Sequence, residues 1–394
     1  MKQVLLATLV MMVIPVMAQE TSVASVMDDA GKQVHVMLKE MDAVNKPGLV
    51  SPRTMEKGAL KMISARDWCS GFFPGELWYF YEYTGNTAWK TLAEKYTANI
   101  EAEKTNGGTH DMGFKVYNSF GNGYRLTKEA HYKEVILEAA QTLSSRFNKK
   151  TGVIKSWDNR RQWAYPVIID NMMNLELLFE AAKLSGNKTF YEIAVSHANT
   201  TMKNHFREDY SSWHVVDYDT ATGKVLQKTT HQGYSDASSW SRGQSWGLYG
   251  YTMCYRETGN KAYLQHAEKI AAFILNHPHM PEDMVPYYDF DAPAIPNEPR
   301  DASAAAILAS GLYELSTYSI HRNTYRAAAD KIMQSLTTHY RSVIGENKGF
   351  ILLHSTGIKP QNIEVDAPII YADYYYLEAL LRKDALQKGK KLFP

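Results

Sequence analysis

The setting of Asp170 in this 394-residue sequence suggests chemistry, because this residue is a carboxylate inside an apolar run at the start of a predicted helix. A buried, unpaired carboxylate costs several kcal/mol, so this residue needs either a partner or a function. Asn174 lies four positions later and shares its helical face, which brings a polar stripe into an apolar surface. An ordinary helix N-cap is the alternative for Asp170 taken alone.

Asp111 is a second carboxylate among apolar residues, and it follows the glycine-bearing loop 106–108. Hydrolysis of sugar linkages usually uses two carboxylates that face one cavity, one protonated and one ionised. Repulsion between like charges separates the pKa values of such a pair. The two aspartates therefore suggest a glycoside hydrolase, although His110-Asp111 alone also fits a capped turn.

The segment from Trp240 to Gly247 has the densest mixture of aromatic, cationic and small residues. If it is helical, Arg242 and Trp246 share one face, whereas Trp240 and Gln244 share another. An arginine beside tryptophans suits a planar carboxylate on a sugar ring. A surface arginine stacked on tryptophan is the alternative. Small residues between them predict close helix packing: Ser241, Gly243, Ser245 and Gly247.

Other chemistries lack their usual signatures in the sequence. The histidines show no pair at the spacing of two metal ligands on a helix, and Cys69 and Cys254 are too distant in sequence to suggest zinc. There is no glycine-rich phosphate loop. We therefore predict no metal and no cofactor. Asp289, Asp291 and Asp301 are interpreted as a solvated loop, with Asp301 capping the alanine-rich helix that follows.

Composition limits the possible partners. The 43 basic and 42 acidic residues nearly cancel, which argues against a nucleic-acid binder. The 26 tyrosines and 8 tryptophans suit a cleft in which sugar rings stack, although a helical core rich in aromatics is an equal alternative. The oligomeric state, the glycosidic linkage and any sulfation preference stay open.

The N-terminus has the pattern of a secretory signal. Lys2 precedes an apolar run over residues 4–16, and Ala18 provides a small residue at the cut. We predict a signal peptide over residues 1–18, a mature chain over residues 19–394, and a periplasmic or secreted protein without a membrane span. Cys69 and Cys254 are too few for a disulfide scaffold, and we expect two buried free thiols.

A repeated helical hairpin must position these residues. Gly-Asn turns at 84–86, 185–187 and 258–260 each precede an aromatic residue by three positions, and degenerate copies lie at 127–132 and 321–325. Glycine supplies the left-handed cap that ends a helix. Further helices over 26–41 and 371–381 complete about six pairs, which predict an all-α fold, an (α/α)6 toroid in a single domain over residues 19–394. An open solenoid that binds a protein partner is the alternative.

Five motifs together resemble glycoside hydrolase family 88, the unsaturated glucuronyl hydrolases. The matching segments lie in order along the chain: 67–75, 110–114, 169–171, 231–234 and 240–246. The resemblance implies the same toroid. It also implies a substrate that a polysaccharide lyase has left with a 4,5-double bond in its terminal uronate.

The resemblance also implies roles for individual residues. Asp170 is the implied general acid and base, and Asp111 is the second essential carboxylate. His214 and Gln232 are expected to place the reactive water. The expected uronate contacts are Trp68, Trp240, Arg242 and Trp246, with Thr230 as a weaker candidate.

Lys359 is predicted to select sulfated or otherwise anionic sugars beside the uronate. Gly357 and Pro360 suggest a tight loop that presents this lysine beside His354 and Ser355, and residues 366–376 are expected to form an inner helix that faces the cavity. A lysine is a compact point charge that suits sulfate. A solvated lysine on a surface turn is an equal alternative.

Three other functions stay open at this point. A conventional inverting glycosidase on the same toroid would use the two aspartates as base and acid on saturated sugars. A hydrolase of unsaturated rhamnogalacturonan fragments would have a similar fold. A catalytically inert sugar-binding protein would keep the tryptophan and arginine contacts but would not need Asp170.

Overall fold

The computed structural model describes residues 22–44, 46–158 and 162–393, so the predicted signal peptide over residues 1–18 lies outside the described residues. Twelve α-helices lie within this part of the chain. Their bounds are α1 Val23–Val44, α2 Phe72–Thr84, α3 Thr87–Ala98, α4 Asn122–Thr127, α5 Ala130–Ser144, α6 Leu175–Ser185, α7 Lys188–Asn204, α8 Ser241–Thr258, α9 Lys261–Leu275, α10 Ala302–Leu315, α11 Arg322–His339 and α12 Ile370–Gln387.

The helices form two concentric rings. The inner ring consists of α2, α4, α6, α8, α10 and α12, in which α12 packs back against α2 and closes the circle. A π-helical segment over Gly113–Gly121 leads directly into α4. The outer ring consists of α3, α5, α7, α9 and α11, each paired with the inner helix that precedes it, and α1 is paired with α12. The predicted (α/α)6 toroid is confirmed.

Burial explains why the two rings differ in sequence. All residues of α10 are buried, so this inner helix shows no polar face. The outer helix α9 instead buries one stripe, which includes Tyr263, Ala267, Ile270 and Ile274. Such a stripe at intervals of three and four residues is typical of a helix with one face toward solvent. The hydrophobic core is therefore concentrated between the rings.

The Gly-Asn turns join the rings as predicted. Gly85, Gly186 and Gly259 adopt left-handed φ values of 67°, 72° and 67°, which end the inner helices. The next residue then caps the outer helix, as in Asn86, whose Oδ1 accepts a hydrogen bond from the backbone N–H of Ala88 at 2.9 Å. In the degenerate copy at 127–132 the left-handed residue is a lysine, Lys128.

In the described parts of the chain, seven short strands lie in the connections and not in the rings. They form three antiparallel sheets: β1 Ser51–Glu56 with β2 Ala59–Ile63, β3 Phe147–Asn148 with β4 Val153–Ile154, and β5 Pro166–Ile168 with β6 Val215–Tyr218 and β7 Val225–Thr229. The third sheet connects the long loops that lead into α6 and α8. These loops, like those before the other inner helices, lie at one end of the toroid.

Two further expectations concern the described residues. No helix in this part of the chain has the length and apolarity of a membrane span. Cys69 and Cys254 are both buried and free, which confirms the expectation of two unpaired thiols.

Candidate active site

Asp170 lies in a 3-10 turn, Ile169–Asn174, that leads into α6. Its side chain is almost completely buried, and its Oδ2 has no hydrogen-bond partner among the described residues. Burial raises the pKa of Asp170 to about 7, the nearby Arg242 guanidinium acts to lower it, and the charge of Asp111 raises it further. A carboxyl group with this pKa exchanges protons readily near neutral pH.

Gly113 brings the second carboxylate close to the first. A Cβ atom at this position would lie 2.7 Å from the Cα of Asn174, so only glycine allows the two segments to approach so closely. The Asn174 Oδ1 also accepts a hydrogen bond from the Phe114 N–H at 3.1 Å. The Asp111 carboxylate accepts a hydrogen bond from the Thr109 hydroxyl at 2.6 Å and lies 3.3 Å from the His110 Nε2. The structure therefore places Asp111 and Asp170 at one site.

His214 lies beside Asp170 in a defined protonation state. Its Nδ1 accepts hydrogen bonds from the backbone N–H groups of His231 at 3.0 Å and Gln232 at 3.2 Å. Burial holds the pKa of His214 well below the usual value for histidine, so the ring is neutral and its proton is on Nε2. The Nε2 lies 3.7 Å from the Asp170 Oδ2 and has no other partner in the described structure.

Arg242 occupies the first turn of α8 and is buried and already paired. One terminal nitrogen donates to Asp301 at 2.7 Å and also to the carbonyl of Thr356, and the other donates to the carbonyl of Gly357 at 2.8 Å. These bonds use three of the five N–H donors of the guanidinium. The charge of Arg242 still reaches Asp170.

The prediction of a solvated acidic loop is wrong for two of its three aspartates. Asp301 caps α10 as predicted, through the backbone N–H groups of Ser303 and Ala304, but it is completely buried and pairs with Arg242. Asp289 is also completely buried and accepts hydrogen bonds from the Tyr234 N–H and the Ser238 hydroxyl. Both carboxylates have partners far away in the sequence, which local proline content does not indicate.

Aromatic rings and Arg242 form a continuous wall. The guanidinium carbon lies 4.6 Å from the Trp240 ring centroid and 5.3 Å from the Tyr371 ring centroid. Tyr371 lies 5.0 Å from Trp68, and Trp240 lies 4.6 Å from His214, measured between ring centroids. The wall thus contains three of the predicted uronate contacts.

Trp246 lies beneath this wall. It shares a face of α8 with Arg242, as predicted, but it is completely buried. Its indole N–H favours the ionised form of Asp170, although the nitrogen lacks a hydrogen bond of normal geometry in the described structure. Trp246 therefore lies close to Asp170, and it is about as buried as Arg242 and Tyr371 of the wall.

The small residues of α8 allow the close packing that the sequence predicts. A Cβ at Gly243 would lie 3.3 Å from the Ile169 side chain, and a Cβ at Gly247 would lie 3.2 Å from Phe206. The Ser245 hydroxyl donates to the Ala304 carbonyl at 2.9 Å. These contacts seat α8 against the turn that carries Asp170 and against α10.

Gln232 and Thr230 lie in the loop between β7 and α8. The Gln232 side-chain amide donates to the Gly357 carbonyl at 3.3 Å, so it reaches the same backbone segment as Arg242. The Thr230 hydroxyl accepts from the Gly233 N–H at 2.9 Å, and the Thr230 N–H donates to Asp236 at 2.7 Å. In this structure Thr230 shapes the loop.

A β-hairpin that we call the arm, residues 355–367, carries Lys359 at its tip. Its two sides pair through Ser355 with Ala367 and through Ile358 with Ile363. Lys359 is half-buried and forms no ion pair within the described residues. The Gln361 amide lies 3.2 Å from the His231 Nε2, which places the tip at the edge of the site. The expected helix over 366–376 begins only at Ile370, because residues 363–367 belong to the arm.

The chain is similar to known glycoside hydrolases. The model of the family described as "Glycosyl Hydrolase Family 88" matches residues 40–390. The chain is 50% identical to an unsaturated glucuronyl hydrolase of Formosa agariphila over 85% of both chains. It is 32% identical to an unsaturated chondroitin disaccharide hydrolase of Streptococcus pneumoniae, over 90% of this chain and 92% of the relative.

A crystal structure of an unsaturated glucuronyl hydrolase specific for heparin superposes with a TM-score of 0.88 and 45% identity, over 94% of this chain and 99% of that one. The chain belongs to glycoside hydrolase family 88. The recognition made from five short motifs is confirmed, as is the prediction that the protein is a glycosidase of the unsaturated glucuronyl hydrolase type.

In this family 88 chain the structure adds site residues that the sequence did not single out. Trp157 lies 5.5 Å from Trp163 and 5.3 Å from His231, measured between ring centroids, and it also contacts His214 at 6.0 Å. Trp157, Trp163 and His231 therefore extend the aromatic wall beyond His214. The signal available was the number of tryptophans in the long loops, but the sequence does not show that Trp157 and Trp163 meet His231 in the loop between β7 and α8.

Proposed function

We propose that this protein removes the 4,5-unsaturated uronic acid from the ends of glycosaminoglycan oligosaccharides that polysaccharide lyases produce. The observation that carries the proposal is Asp170, a buried carboxyl group with a raised pKa, one free oxygen and a neutral histidine facing that oxygen. Such a group can both give and accept a proton near neutral pH.

The proposed reaction begins at the double bond and not at the glycosidic oxygen. Protonated Asp170 donates its proton to C4, positive charge develops at C5 beside the ring oxygen, and water adds to C5 as the Asp170 carboxylate takes a proton from it. The product is a hemiketal, whose ring opens and releases the remaining sugar from C1. The sum is the addition of one water molecule, and no covalent sugar–enzyme intermediate is required.

His214 is suited to hold the water that attacks C5. The 3.7 Å between its Nε2 and the Asp170 Oδ2 is too long for a direct hydrogen bond. A water placed next to both atoms would accept from the Nε2–H and donate to the carboxylate. Because Nδ1 is occupied by two backbone N–H groups, the histidine cannot turn its donor away.

The wall of Trp68, Tyr371, Arg242 and Trp240 is suited to a flat, anionic ring. A double bond flattens the uronate around C4 and C5, and aromatic faces match a flat ring. We propose that the buried positive charge of Arg242 favours the side of the ring that carries the carboxylate, and that Asp111 maintains the raised pKa of Asp170. The contacts of Trp246 and Thr230 with the uronate also remain predictions.

The substrate class follows from the relatives. The enzymes of Formosa agariphila and Streptococcus pneumoniae are named for unsaturated glucuronyl and chondroitin disaccharide substrates, and the similar crystal structure is described as specific for heparin. These names share a terminal unsaturated uronate and differ in the sugar that follows it. We therefore propose the uronate as the fixed element of recognition and leave the next sugar to experiment.

The test is a panel of lyase-generated disaccharides from chondroitin, hyaluronan, heparin and alginate, with lyase products of rhamnogalacturonan and saturated disaccharides as controls. Loss of ultraviolet absorbance from the conjugated double bond, together with release of the second sugar, is the expected result. A conventional inverting glycosidase would instead cleave saturated sugars. Turnover of rhamnogalacturonan products alone would assign the chain to that activity.

Replacement of Asp170 by asparagine separates an enzyme from an inert binding protein. Asp170→Asn keeps the shape of the side chain but cannot deliver a proton, so we expect turnover to fall by about 100-fold to 10,000-fold while disaccharide binding persists. Turnover rates and calorimetric binding measure the two properties separately. Near-native turnover in this variant would remove Asp170 from the mechanism.

We also propose that the protein acts outside the cytoplasm. The support is the apolar run over residues 4–16 and the small residue at position 18 in the sequence. N-terminal sequencing of protein recovered from the periplasm or medium should begin near Gln19. Recovery of the uncleaved chain from the cytoplasm alone would contradict this proposal.

A further inference from the structure

Arg53 reaches the catalytic end of the toroid because of a β-bulge. Strands β1 and β2 pair in register from Ser51 to Pro52 and again from Thr54 onward, so Arg53 is the extra residue between the paired positions. A bulge bends its strand and redirects the side chain of the unpaired residue. Thr54 then pairs with Ile369 at the base of the arm, which fixes β1 beside it.

The side chain of Arg53 joins two acidic residues from distant parts of the chain. One terminal nitrogen donates to both oxygens of Asp67, at 2.7 and 2.9 Å, whereas the Nε and the other terminal nitrogen donate to Glu364. The Glu364 side chain is only 5% exposed and that of Arg53 only 14%. Glu364 is therefore bound in the two-pronged geometry that arginine forms best, whereas both oxygens of Asp67 share one terminal nitrogen.

Each acidic partner lies next to a substrate-facing element. Asp67 precedes Trp68 and accepts a hydrogen bond from the Cys69 N–H at 2.9 Å, so the backbone on either side of Trp68 is anchored. Glu364 belongs to the arm and lies across Gly357, where a Cβ atom would be 2.8 Å from its Oε2. The Gly357 carbonyl in turn accepts from Arg242 and Gln232.

A series of direct contacts thus connects the Trp68 loop to Arg242. It runs through Arg53 and then through the arm. Glu364 also holds a left-handed φ of 51°, which is unfavourable for a residue other than glycine and persists only when its surroundings fix it. Asp170 is not part of this series, because the turn over Ile169–Asn174 is held by contacts with α8 and with Gly113.

We propose that Arg53 is a positioning residue that fixes the arm and Trp68 as one wall of the substrate cleft. This inference rests on the proposed function. In the absence of Arg53 the arm and the Trp68 loop are free to separate, and the contacts that hold the uronate weaken. The proton transfer by Asp170 is not affected. Arg53 therefore determines the affinity for the unsaturated disaccharide and not the rate of the chemical step.

The test is the Arg53→Met variant, assayed with the unsaturated disaccharide that the wild-type protein turns over fastest. We expect KM to rise about tenfold while kcat stays within about threefold of wild type. In the Asp170→Asn background, which prevents turnover, the Kd for the same disaccharide should rise by a similar factor in calorimetry. The pH profile of kcat should keep its shape.

Arg125→Met is the matched control. Arg125 forms a similar two-pronged pair with Glu82, but on α4 and α2 away from the loops of the site. We expect its KM and kcat to stay within about twofold of wild type. An equal rise of KM in this variant would overturn the inference, because it would assign the effect to general stability.

Glu364→Gln tests the same contact from the other side and replaces Arg53→Met if that variant does not fold. It should raise KM in the same direction, and the double variant should be no worse than Arg53→Met alone, because both remove one interaction. An unchanged KM in both single variants, or a fall in kcat at constant KM, would refute the positioning role. A wild-type protein without activity on any unsaturated disaccharide would instead refute the proposed function.

Discussion

At the scale of single residues, the two tasks proposed for Asp170, as acid and as base, both require a pKa near neutral pH. Burial raises the pKa of Asp170 to about 7, and Arg242 and Asp111 act on it in opposite directions. As a general acid Asp170 must be protonated when it meets the double bond, so kcat should decline as pH rises through this value. The alkaline limb of the pH profile therefore reports Asp170.

Asp111→Asn should move that alkaline limb to lower pH. The substitution removes a negative charge that raises the pKa of Asp170, so the protonated form persists only to a lower pH. We expect a shift of the limb together with a loss of kcat of about 10-fold or more. The measurement is kcat between pH 5 and 9 on one unsaturated disaccharide.

The control for this shift is Asp219→Asn, at an exposed turn between β6 and β7, which should leave the limb unchanged. A limb that stays in place in Asp111→Asn would show that the two carboxylates are not coupled.

Asp170 and Asp111 could be singled out from the sequence as candidate site residues, because a carboxylate inside an apolar segment is unusual in any fold. The same reasoning failed for Asp289 and Asp301, which lie in a proline-rich segment and therefore look like solvated loop residues. Their burial results from Tyr234, Ser238 and Arg242, each of which is more than 50 positions away. Local patterns do not reveal pairs of that kind.

At the scale of elements, the helical hairpins were predictable because each turn is a local structure. The left-handed glycine and the capping asparagine act within a few residues of one another, as Gly259 and Asn260 illustrate. The arm and the sheet of β5, β6 and β7 were not predicted, because their strands are short and pair with residues that other loops bring to the same end. The bulge at Arg53 was not predicted for the same reason, because it depends on how the short strands β1 and β2 pair.

Gly113→Ala should disturb the site through the element that carries Asp111. The new Cβ would lie 2.7 Å from the Asn174 Cα, a backbone atom that cannot rotate away, so the two segments must separate. We expect kcat/KM to fall by about tenfold or more and the melting temperature to drop, since overpacking typically costs about 1–3 kcal/mol. Steady-state kinetics and thermal denaturation measure the two effects.

Gly107→Ala is the matched control in the preceding loop, because a Cβ there would meet nothing within 4 Å. Equal losses in both variants would mean that the close approach of Gly113 to Asn174 has no special role.

Lys359→Ala tests whether the tip of the arm reads sulfate. Lys359 is half-buried at the edge of the site and has no ion-pair partner in the described structure, so its charge is available to a ligand. We expect kcat/KM to fall about three- to tenfold on sulfated unsaturated disaccharides and to change little on unsulfated ones. Ionic strength must be constant, because exposed charges are screened by salt.

The control is Lys188→Ala at the exposed start of the outer helix α7, which should affect neither substrate. If Lys359→Ala lowers the efficiency equally on both substrates, or on neither, the lysine does not select sulfate.

At the scale of the whole molecule, the toroid closes between α12 and α2, which are the last and first inner helices along the chain. Two buried acids lie at this seam. Asp373 accepts hydrogen bonds from the backbone N–H groups of Ile351 and Leu352, both at 2.8 Å, whereas neither Glu76 oxygen has a hydrogen-bond partner among the described residues. Burial raises the pKa of Glu76 well above its usual range and that of Asp373 as well, and each charge opposes the other.

We therefore expect the stability of the folded chain to depend on pH. Below about pH 4 both acids are protonated in the folded and the unfolded chain, and they do not affect the balance. As pH rises above that value, the unfolded chain releases its protons while the folded chain retains at least one. The folded state then binds more protons than the unfolded state, so stability is lost as pH increases toward and beyond neutrality.

Glu76→Gln should reverse part of this loss, since the amide has nearly the shape of the protonated acid and cannot ionise. We expect the variant to match the wild type near pH 4 and to gain about 1–3 kcal/mol of unfolding free energy at pH 8 to 9. Denaturant unfolding at both pH values measures the difference, and Glu192→Gln on the exposed face of α7 should show no such pH-dependent gain. A Glu76→Gln protein that is less stable than wild type at pH 8 to 9 would mean that the Glu76 carboxylate is ionised and stabilising at the seam.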